Sequence, residues 1–321
     1  MAGHESRELV YISVKCVLEE LDCPLCGTRN YIVLQPAKYP ADLTREDLLK
    51  VYSASSGYML VDQLVRCKDC LLVYLNPRIP QNVILNAYKE AVDPTFIRQN
   101  EQRIKTFKRS LRYLISRYGL KASPHARILD VGCAGGAFPK AAADLNFSVI
   151  GVEPSVWLAE QGRKAYGLDI RSGMLTDQDF SEASFDLVTL WDVIEHLTNP
   201  GDVVDDIHRI LKDGGLLVVN YPDYDSSMRR VLNTKWPFLL SVHLIYFTPS
   251  TIARFLDDHG FAVEEVRPFW QTLELGYIME RAAAYFSIIG AFEKAVRFFN
   301  LHRMSFTYNM GQSFLVARKK V

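Results

Sequence analysis

The segment "RILDVGCAGGAF", residues 127–138, is the most informative part of this chain of 321 residues. An apolar run leads into a turn with three glycines, and the residues that follow have the composition of a helix. Gly132, Gly135 and Gly136 lack a Cβ atom, so the backbone can turn tightly and approach a bound molecule closely. The segment therefore predicts a strand, a glycine-rich loop and a helix.

Strand-like and helix-like stretches alternate after this segment. Apolar runs occur at "SVIGVEP" (148–154), "FDLVTLWD" (185–192) and "LLVVNYP" (216–222), with amphipathic stretches between them. The alternation predicts an α/β fold with a doubly wound, Rossmann-like sheet, in which 185–192 is the third strand. Such sheets bind ligands beyond the carboxyl ends of their strands. The sequence places these residues there: Asp130, Glu153, Trp191, Asp192 and His196.

The glycine-rich loop restricts the kind of ligand. A nicotinamide dehydrogenase would show G-x-G-x-x-G, but Ala134 occupies the middle glycine position, so a dehydrogenase is disfavoured. Glu153 ends the next strand, and a carboxylate can accept hydrogen bonds from two vicinal ribose hydroxyls.

Four of the six cysteines form two pairs near the N-terminus. "CPLCG" contains Cys23 and Cys26, and "RCKDC" contains Cys67 and Cys70. Two such pairs can supply the four thiolates of a tetrahedral Zn²⁺ site. Because four protein ligands leave no open position, this zinc would stabilise a ribbon and would not activate water.

The composition indicates a soluble globular protein in the cytoplasm. Lys and Arg number 37 and so do Asp and Glu, so no broad positive field favours nucleic acid or an anionic membrane. The N-terminal residues have scattered charges and no apolar core of a secretory signal, and no apolar run is long enough to span a bilayer.

The chain divides into three predicted regions. Residues 1–80 form the zinc ribbon, 81–120 a linker of two helices, and 121–321 the α/β domain, with the boundary at the Gly-, Ser- and Pro-containing "GLKASPHA". An apolar insertion at 272–303 predicts one or two helices before a single final strand at 305–320. These helices could line the pocket, form a homodimer or rest on a membrane surface. Core packing or oligomerisation is favoured.

The motifs together resemble class I S-adenosylmethionine-dependent methyltransferases. The matching segments are "ILDVGCAGGAF", "VIGVEPS", "FDLVTLWDVIEHL" and "ILKDGGLLVVNYPD". The ribbon followed by a helical linker is similar to the zinc-ribbon methyltransferases of bacterial sugar and polysaccharide biosynthesis. The resemblance implies S-adenosylmethionine as cofactor, structural Zn²⁺, and a nucleotide-linked or glycan sugar methylated on oxygen or carbon.

The resemblance also implies roles for residues at the strand ends. Asp130, the glycine loop and Glu153 would hold the cofactor, and Met174 and Leu175 would pack on adenine. Trp191 would lie against the methionine portion, where its π face favours the sulfonium charge.

Two histidines are candidates for the general base. His196 has an ordinary pKa near physiological pH, which suits proton transfer, and the resemblance places it at the methyl-transfer site. His243, in "SVHLIYF", is the second candidate. Asp192 is a candidate cofactor-binding residue at the same strand end. It either orients the loop through backbone hydrogen bonds or begins the helix that follows, and the second role is favoured.

Two other classes of protein stay open. A zinc-finger RNA methyltransferase is disfavoured by the neutral net charge. A non-catalytic S-adenosylmethionine-binding module is disfavoured by the intact glycine loop, Glu153 and "WDVIEHL".

Overall fold

The computed structural model describes residues 18–39, 51–52, 59–90, 92–283 and 296–320. A small sheet near the N-terminus contains β1 (Tyr31–Gln35), β2 (Leu64–Cys67) and β3 (Val73–Leu75). Three helices follow: α1 (Gln81–Lys89), α2 (Pro94–Arg98) and α3 (Asn100–Tyr118). The predicted linker is therefore helical, with α2 as an additional short helix.

The larger sheet has the predicted α/β architecture. Within the described ranges its strands are β4 (Arg127–Val131), β5 (Ser148–Glu153), β6 (Asp169–Ser172), β7 (Phe185–Trp191), β8 (Leu211–Pro222), β10 (Phe261–Pro268) and β13 (Gln312–Lys319). Their order is β10-β13-β8-β7-β4-β5-β6. Strands β4 to β8 run parallel to one another, whereas β13 is antiparallel to β8 and β10 is antiparallel to β13. The doubly wound Rossmann-like fold is confirmed.

Strand β6 was not predicted, so the order of strands along the chain differs from the prediction. It has four residues and only one of them, Ile170, is buried, because β6 lies at the edge of the sheet. This weak apolar pattern was not among the alternating runs. Strand β7 is therefore the fourth strand of the larger sheet along the chain, as the methyltransferase resemblance implies, and not the third.

Six α-helices that lie wholly within the described ranges follow β4. They are α4 (Ala137–Ala143), α5 (Val156–Tyr166), α6 (Pro200–Ile210), α7 (Ser227–Leu232), α8 (Pro249–Asp258) and α9 (Leu275–Ala283). Ser155 caps α5 by accepting a hydrogen bond from the Leu158 amide. In α3, Phe107, Leu111 and Leu114 are buried at helical spacing and join a core cluster beneath the sheet. In the described parts of the chain no helix combines the length and apolar character needed to cross a membrane.

The insertion differs from its prediction. It begins with strand β11 (Gln271–Glu274), continues into α9, and returns through β12 (Ser305–Tyr308), which pairs with β11. The single final strand predicted at 305–320 is two strands, because a turn with Gly311 at φ +96° separates β12 from β13. The remaining helical prediction, at 284–295, lies outside the described residues.

The ribbon sheet also contains a strand from the C-terminal third of the chain. Strand β9 (Ile245–Tyr246) pairs with β3, which gives the order β1-β2-β3-β9. Leu75 also donates its amide to the Leu244 carbonyl at 3.0 Å. A continuous apolar core joins the ribbon to the α/β sheet. The division into separate domains stays a prediction.

Candidate active site and cysteine cluster

A cavity of about 370 Å³ opens at the carboxyl ends of β4, β5 and β7. The strand order reverses at β4, where such sheets bind ligands. Most of the predicted site residues line the cavity: Asp130, Gly132, Gly135, Glu153, Met174, Leu175, Trp191, Asp192 and His196. Gly136 and His243 do not line it.

The glycine-rich loop is shaped by close packing. Gly132 has φ +71°, and a Cβ atom there would lie 2.5 Å from the Val193 side chain. A Cβ atom on Gly135 would lie 2.1 Å from Cδ1 of Ile97. Gly136, at φ +76°, faces α5 and brings the loop close to the Gly162 backbone. Ala134 adopts φ +45°, the conformation that the usual glycine would adopt freely.

Glu153 is anchored below the loop by two backbone amides. Its Oε2 accepts a hydrogen bond from Ala134 and its Oε1 accepts one from Ser155, both at 2.8 Å. Burial raises the pKa of Glu153 to about 7 despite these two donors. Each oxygen keeps a lone pair, so the carboxylate can still accept two hydrogen bonds from a diol.

Asp130 lies deeper, at the end of β4. It is buried, and its Oδ1 accepts a hydrogen bond from the Thr189 hydroxyl at 2.7 Å. Burial raises the pKa of Asp130 well above its ordinary value. Asp130 also lines the cavity, two residues before Gly132.

Trp191 forms the apolar wall of the cavity. Its ring centre lies 4.9 Å from that of Phe107, and it also packs on Phe138, Phe269 and Phe314. The indole Nε1 is buried and has no hydrogen-bond partner among the described atoms. Trp191 therefore combines a core role with a face on the cavity.

Asp192 does not begin the helix that follows, which corrects the favoured interpretation. It adopts φ +55°, and its Oδ1 accepts hydrogen bonds from Asn220 at 2.6 Å and from Gln312. The 3-10 turn after it, Ile194–His196, has no side-chain cap. Burial raises the pKa of Asp192 to about 6, and the nearby Arg103 opposes that shift. Asp192 thus ties β7 to β8 and β13 at the cavity floor.

His196 and His243 meet edge to face. Their ring centres are 4.7 Å apart. His196 Nδ1 lies 2.9 Å from the Val242 carbonyl, and His243 Nδ1 lies 2.7 Å from the Phe238 carbonyl. A carbonyl only accepts, so each Nδ1 carries the proton and each Nε2 is left as an acceptor.

Burial keeps both histidines neutral. It lowers the pKa of His196 to about 4, and it lowers that of His243 well below the ordinary value. Glu195 lies beside them. Its Oε1 is 3.9 Å from His196 Nε2, and both carboxyl oxygens are buried without a hydrogen-bond partner among the described atoms. Atoms of these three side chains lie within 4.8 Å of one another. The resulting cluster is buried and adjacent to the cavity through His196 alone.

The helices before the sheet supply cavity residues that sequence reasoning missed. Asn100, Arg103 and Phe107 of α3 and Phe96 of α2 line the cavity roof. Asn100 donates a hydrogen bond through Nδ2 to the Gly135 carbonyl at 2.9 Å.

The four paired cysteines converge as predicted. Cys23 Sγ lies 3.4 Å from Cys70 Sγ, and Cys26 Sγ lies 3.5 Å from Cys67 Sγ, with all four within 4.8 Å of one another. None of the four is in a disulfide. Tetrahedral zinc with bonds of about 2.3 Å requires sulfur separations of roughly 3.8 Å, so the cluster fits this ion.

A sequence model described as a methyltransferase domain matches residues 100–266, more than half of the chain. The chain belongs to the methyltransferase domain family. The match begins at α3 and includes every strand of the parallel part of the sheet. The predicted family is confirmed, while its zinc-ribbon sugar subgroup stays a prediction.

Curated relatives of this methyltransferase domain are named ubiquinone biosynthesis O-methyltransferase. That of Glaesserella parasuis is 29% identical over 157 residues, covering 44% of this chain and 66% of the relative. That of Maricaulis maris is 39% identical over 103 residues, covering 29% and 39%. The chain spans less than two thirds of the length of these relatives.

One solved structure confirms the same fold. It is a chain in the complex between the Trm112 methyltransferase activator of Haloferax volcanii and a protein named as a methyltransferase. The TM-score is 0.50 at 17% identity, with 69% of this chain and 93% of that chain covered.

Proposed function

We propose that the protein transfers a methyl group from S-adenosylmethionine to a hydroxyl of a small acceptor. One observation carries the proposal: His196 lines the same cavity as Glu153, and the contact of its Nδ1 with the Val242 carbonyl leaves Nε2 as an acceptor. When bound, the cofactor supplies a methyl group on a positively charged sulfur.

Each of these residues would have a separate role in an in-line transfer of the methyl group. Glu153 would hold the ribose hydroxyls, Met174 and Leu175 would pack on adenine, and Trp191 would face the sulfonium. His196 Nε2 would accept the proton from the acceptor hydroxyl as the oxygen–carbon bond forms and the carbon–sulfur bond breaks. His243 would support the His196 ring without touching the acceptor.

Two acceptor classes are supported by separate observations. The cysteine cluster ahead of the methyltransferase domain supports a nucleotide-linked or glycan sugar, as in the enzymes that the sequence resembles. The names of the curated relatives support an oxygen of a ubiquinone precursor. We infer in either case that Cys23, Cys26, Cys67 and Cys70 hold a structural Zn²⁺.

A transfer assay tests the activity. Labelled S-adenosylmethionine is incubated with nucleotide sugars and, separately, with hydroxylated quinone precursors, and the methylated product is identified. His196→Gln should reduce turnover by about 100-fold or more, whereas the exposed His125→Gln should not. Binding of S-adenosylhomocysteine without transfer to either class would favour the non-catalytic module. Full turnover by His196→Gln would exclude His196 as the base.

A further inference from the structure

A second cavity, of about 390 Å³, lies between α3, β10, β12 and β13. It shares no lining residue with the first cavity. Phe269 and Phe314 line the second cavity, and Trp191 lines the first. The ring centre of Trp191 is 5.5 Å from that of Phe269 and 5.9 Å from that of Phe314. A layer of aromatic rings therefore separates the two cavities.

Aromatic rings hold the guanidinium of Arg267 on the wall of the second cavity. Its Cζ lies 3.4 Å from the centre of the Tyr113 ring and 4.7 Å from that of Phe314. The nearest carboxylate is Glu265, whose Oε1 is 3.9 Å from Arg267 Nε and whose Oε2 accepts hydrogen bonds from Tyr113 and Tyr118. Arg267 Nε is buried without a hydrogen-bond partner among the described atoms. A buried donor of this kind is unfavourable unless a ligand supplies an acceptor.

Arg109 brings a second guanidinium to the same cavity. It donates hydrogen bonds to the Trp270 carbonyl and, at 3.5 Å, to the Thr272 hydroxyl, so both of these partners are neutral. Burial lowers the pKa of Arg109, and the positive charge of Arg267 lowers it further. Two like charges that converge on one cavity repel each other, and an anion bound between them would remove that repulsion.

Trp270 adds an aromatic surface to the rim of the cavity. Its side chain lines the cavity and is 53% exposed. Exposed indole rings provide a face on which a nucleic-acid base can stack, and such stacking accepts any base. Guanidinium groups bind phosphate oxygens through paired N–H donors. The cavity therefore combines the two kinds of contact that a nucleotide requires.

We propose that the second cavity binds a nucleoside diphosphate, with its phosphates between Arg109 and Arg267 and its base against Trp270. This ligand would be distinct from S-adenosylmethionine, which carries no phosphate. The inference goes beyond the proposed function and does not depend on which acceptor is methylated.

Calorimetry with three probes tests the two parts of the site. The first cavity is kept saturated with S-adenosylhomocysteine, so that binding there does not contribute. Uridine diphosphate carries both a base and phosphates, inorganic diphosphate lacks the base, and uridine lacks the phosphates. Uridine diphosphate should bind more tightly than either of the other two probes.

Three variants assign the contacts. Arg267→Met should weaken both phosphate compounds by about 10- to 100-fold. Trp270→Ala should weaken uridine diphosphate by about tenfold and leave inorganic diphosphate unchanged. Arg112→Met, exposed on α3, should change neither. Arg267→Lys should bind inorganic diphosphate more tightly than Arg267→Met, because Lys keeps the positive charge.

Other results would overturn the inference. They are equal affinities in Arg267→Met and the unaltered chain, uridine binding as tightly as uridine diphosphate, and no binding of either phosphate compound at millimolar concentration. Equal binding of inorganic diphosphate and uridine diphosphate, unchanged in Trp270→Ala, would show a site for free phosphate and overturn the nucleotide assignment. If Arg267 serves only in packing, the Met and Lys variants lose the same affinity and melt at lower temperature. Failure of S-adenosylhomocysteine itself to bind would instead reject the proposed function, and the titrations with the three probes would still test this cavity.

Discussion

Glu153 should make both stability and cofactor affinity depend on pH, and Glu153→Gln should remove that dependence. Burial raises the pKa of this carboxyl from 4.5 to about 7 in the folded protein. The folded chain then keeps a proton that the unfolded chain releases above pH 4.5. The stability from this group is present below pH 4.5 and is lost as the pH rises through 7. At about 1.4 kcal/mol per pKa unit, the loss is about 3 kcal/mol.

Cofactor binding should show the opposite trend. Ribose hydroxyls donate hydrogen bonds, so they favour the ionised carboxylate, and binding releases the proton. With a pKa of about 7, roughly a tenth of Glu153 is ionised at pH 6 and roughly nine tenths at pH 8. The dissociation constant of S-adenosylhomocysteine should therefore be about tenfold higher at pH 6 than at pH 8.

Urea unfolding at pH 5 and pH 8 and calorimetry at pH 6 and pH 8 check both effects. Differences between the unaltered chain and Glu153→Gln remove the contributions of other groups, such as His196, whose lowered pKa makes stability rise with pH between about 4 and 6.5. Glu182→Gln is the matched control, because Glu182 is exposed in the turn before β7. Equal pH dependence in Glu153→Gln and the unaltered chain would refute a raised pKa at this residue.

Three further outcomes follow from contacts described above. Chelation of the metal, or Cys67→Ser, should lower the melting temperature by roughly 10 °C, and an unchanged value after verified metal removal would argue against a structural ion. Gly135→Ala should destabilise the fold by about 1–3 kcal/mol in urea, because its Cβ would meet Ile97. Adding Ile97→Ala should recover part of that loss, and no recovery would mean that another contact requires the glycine. The lower limb of the pH–rate profile should lie near pH 4, the lowered pKa of His196, and a limb near 6.5 would show that His196 is not buried in the working enzyme.

Local patterns account for what the sequence could predict. The glycine loop, Glu153 and the paired cysteines are short motifs whose spacing reflects their chemistry, and the apolar runs gave the parallel strands. Strand β6 was not predicted because an edge strand buries too few side chains to produce an apolar pattern in the sequence. The role of Asp192 depended on a left-handed backbone and on partners 28 and 120 residues away.

The residues of the cavity roof could not be predicted either, because their contacts also join distant parts of the chain. Asn100 precedes Gly135 by 35 residues, and the contact between them exists only once α3 has packed on the sheet. On an isolated helix, Asn100 and Arg103 resemble ordinary surface residues. Only the folded chain shows that one is buried and that the other stacks on Phe96.

Strand β9 and the residue before it connect the ribbon, which carries the cysteine cluster, to the segment that carries His196. Leu244 is hydrogen-bonded to Leu75 on one side and to the Glu195 carbonyl on the other, and His243 is its neighbour in the chain. Leu244 therefore links the ribbon sheet to the turn that carries Glu195 and His196, with one backbone hydrogen bond on each side. The protein should melt as one cooperative unit. A fragment that begins at residue 121 would leave the edge of β9 exposed and prone to self-association.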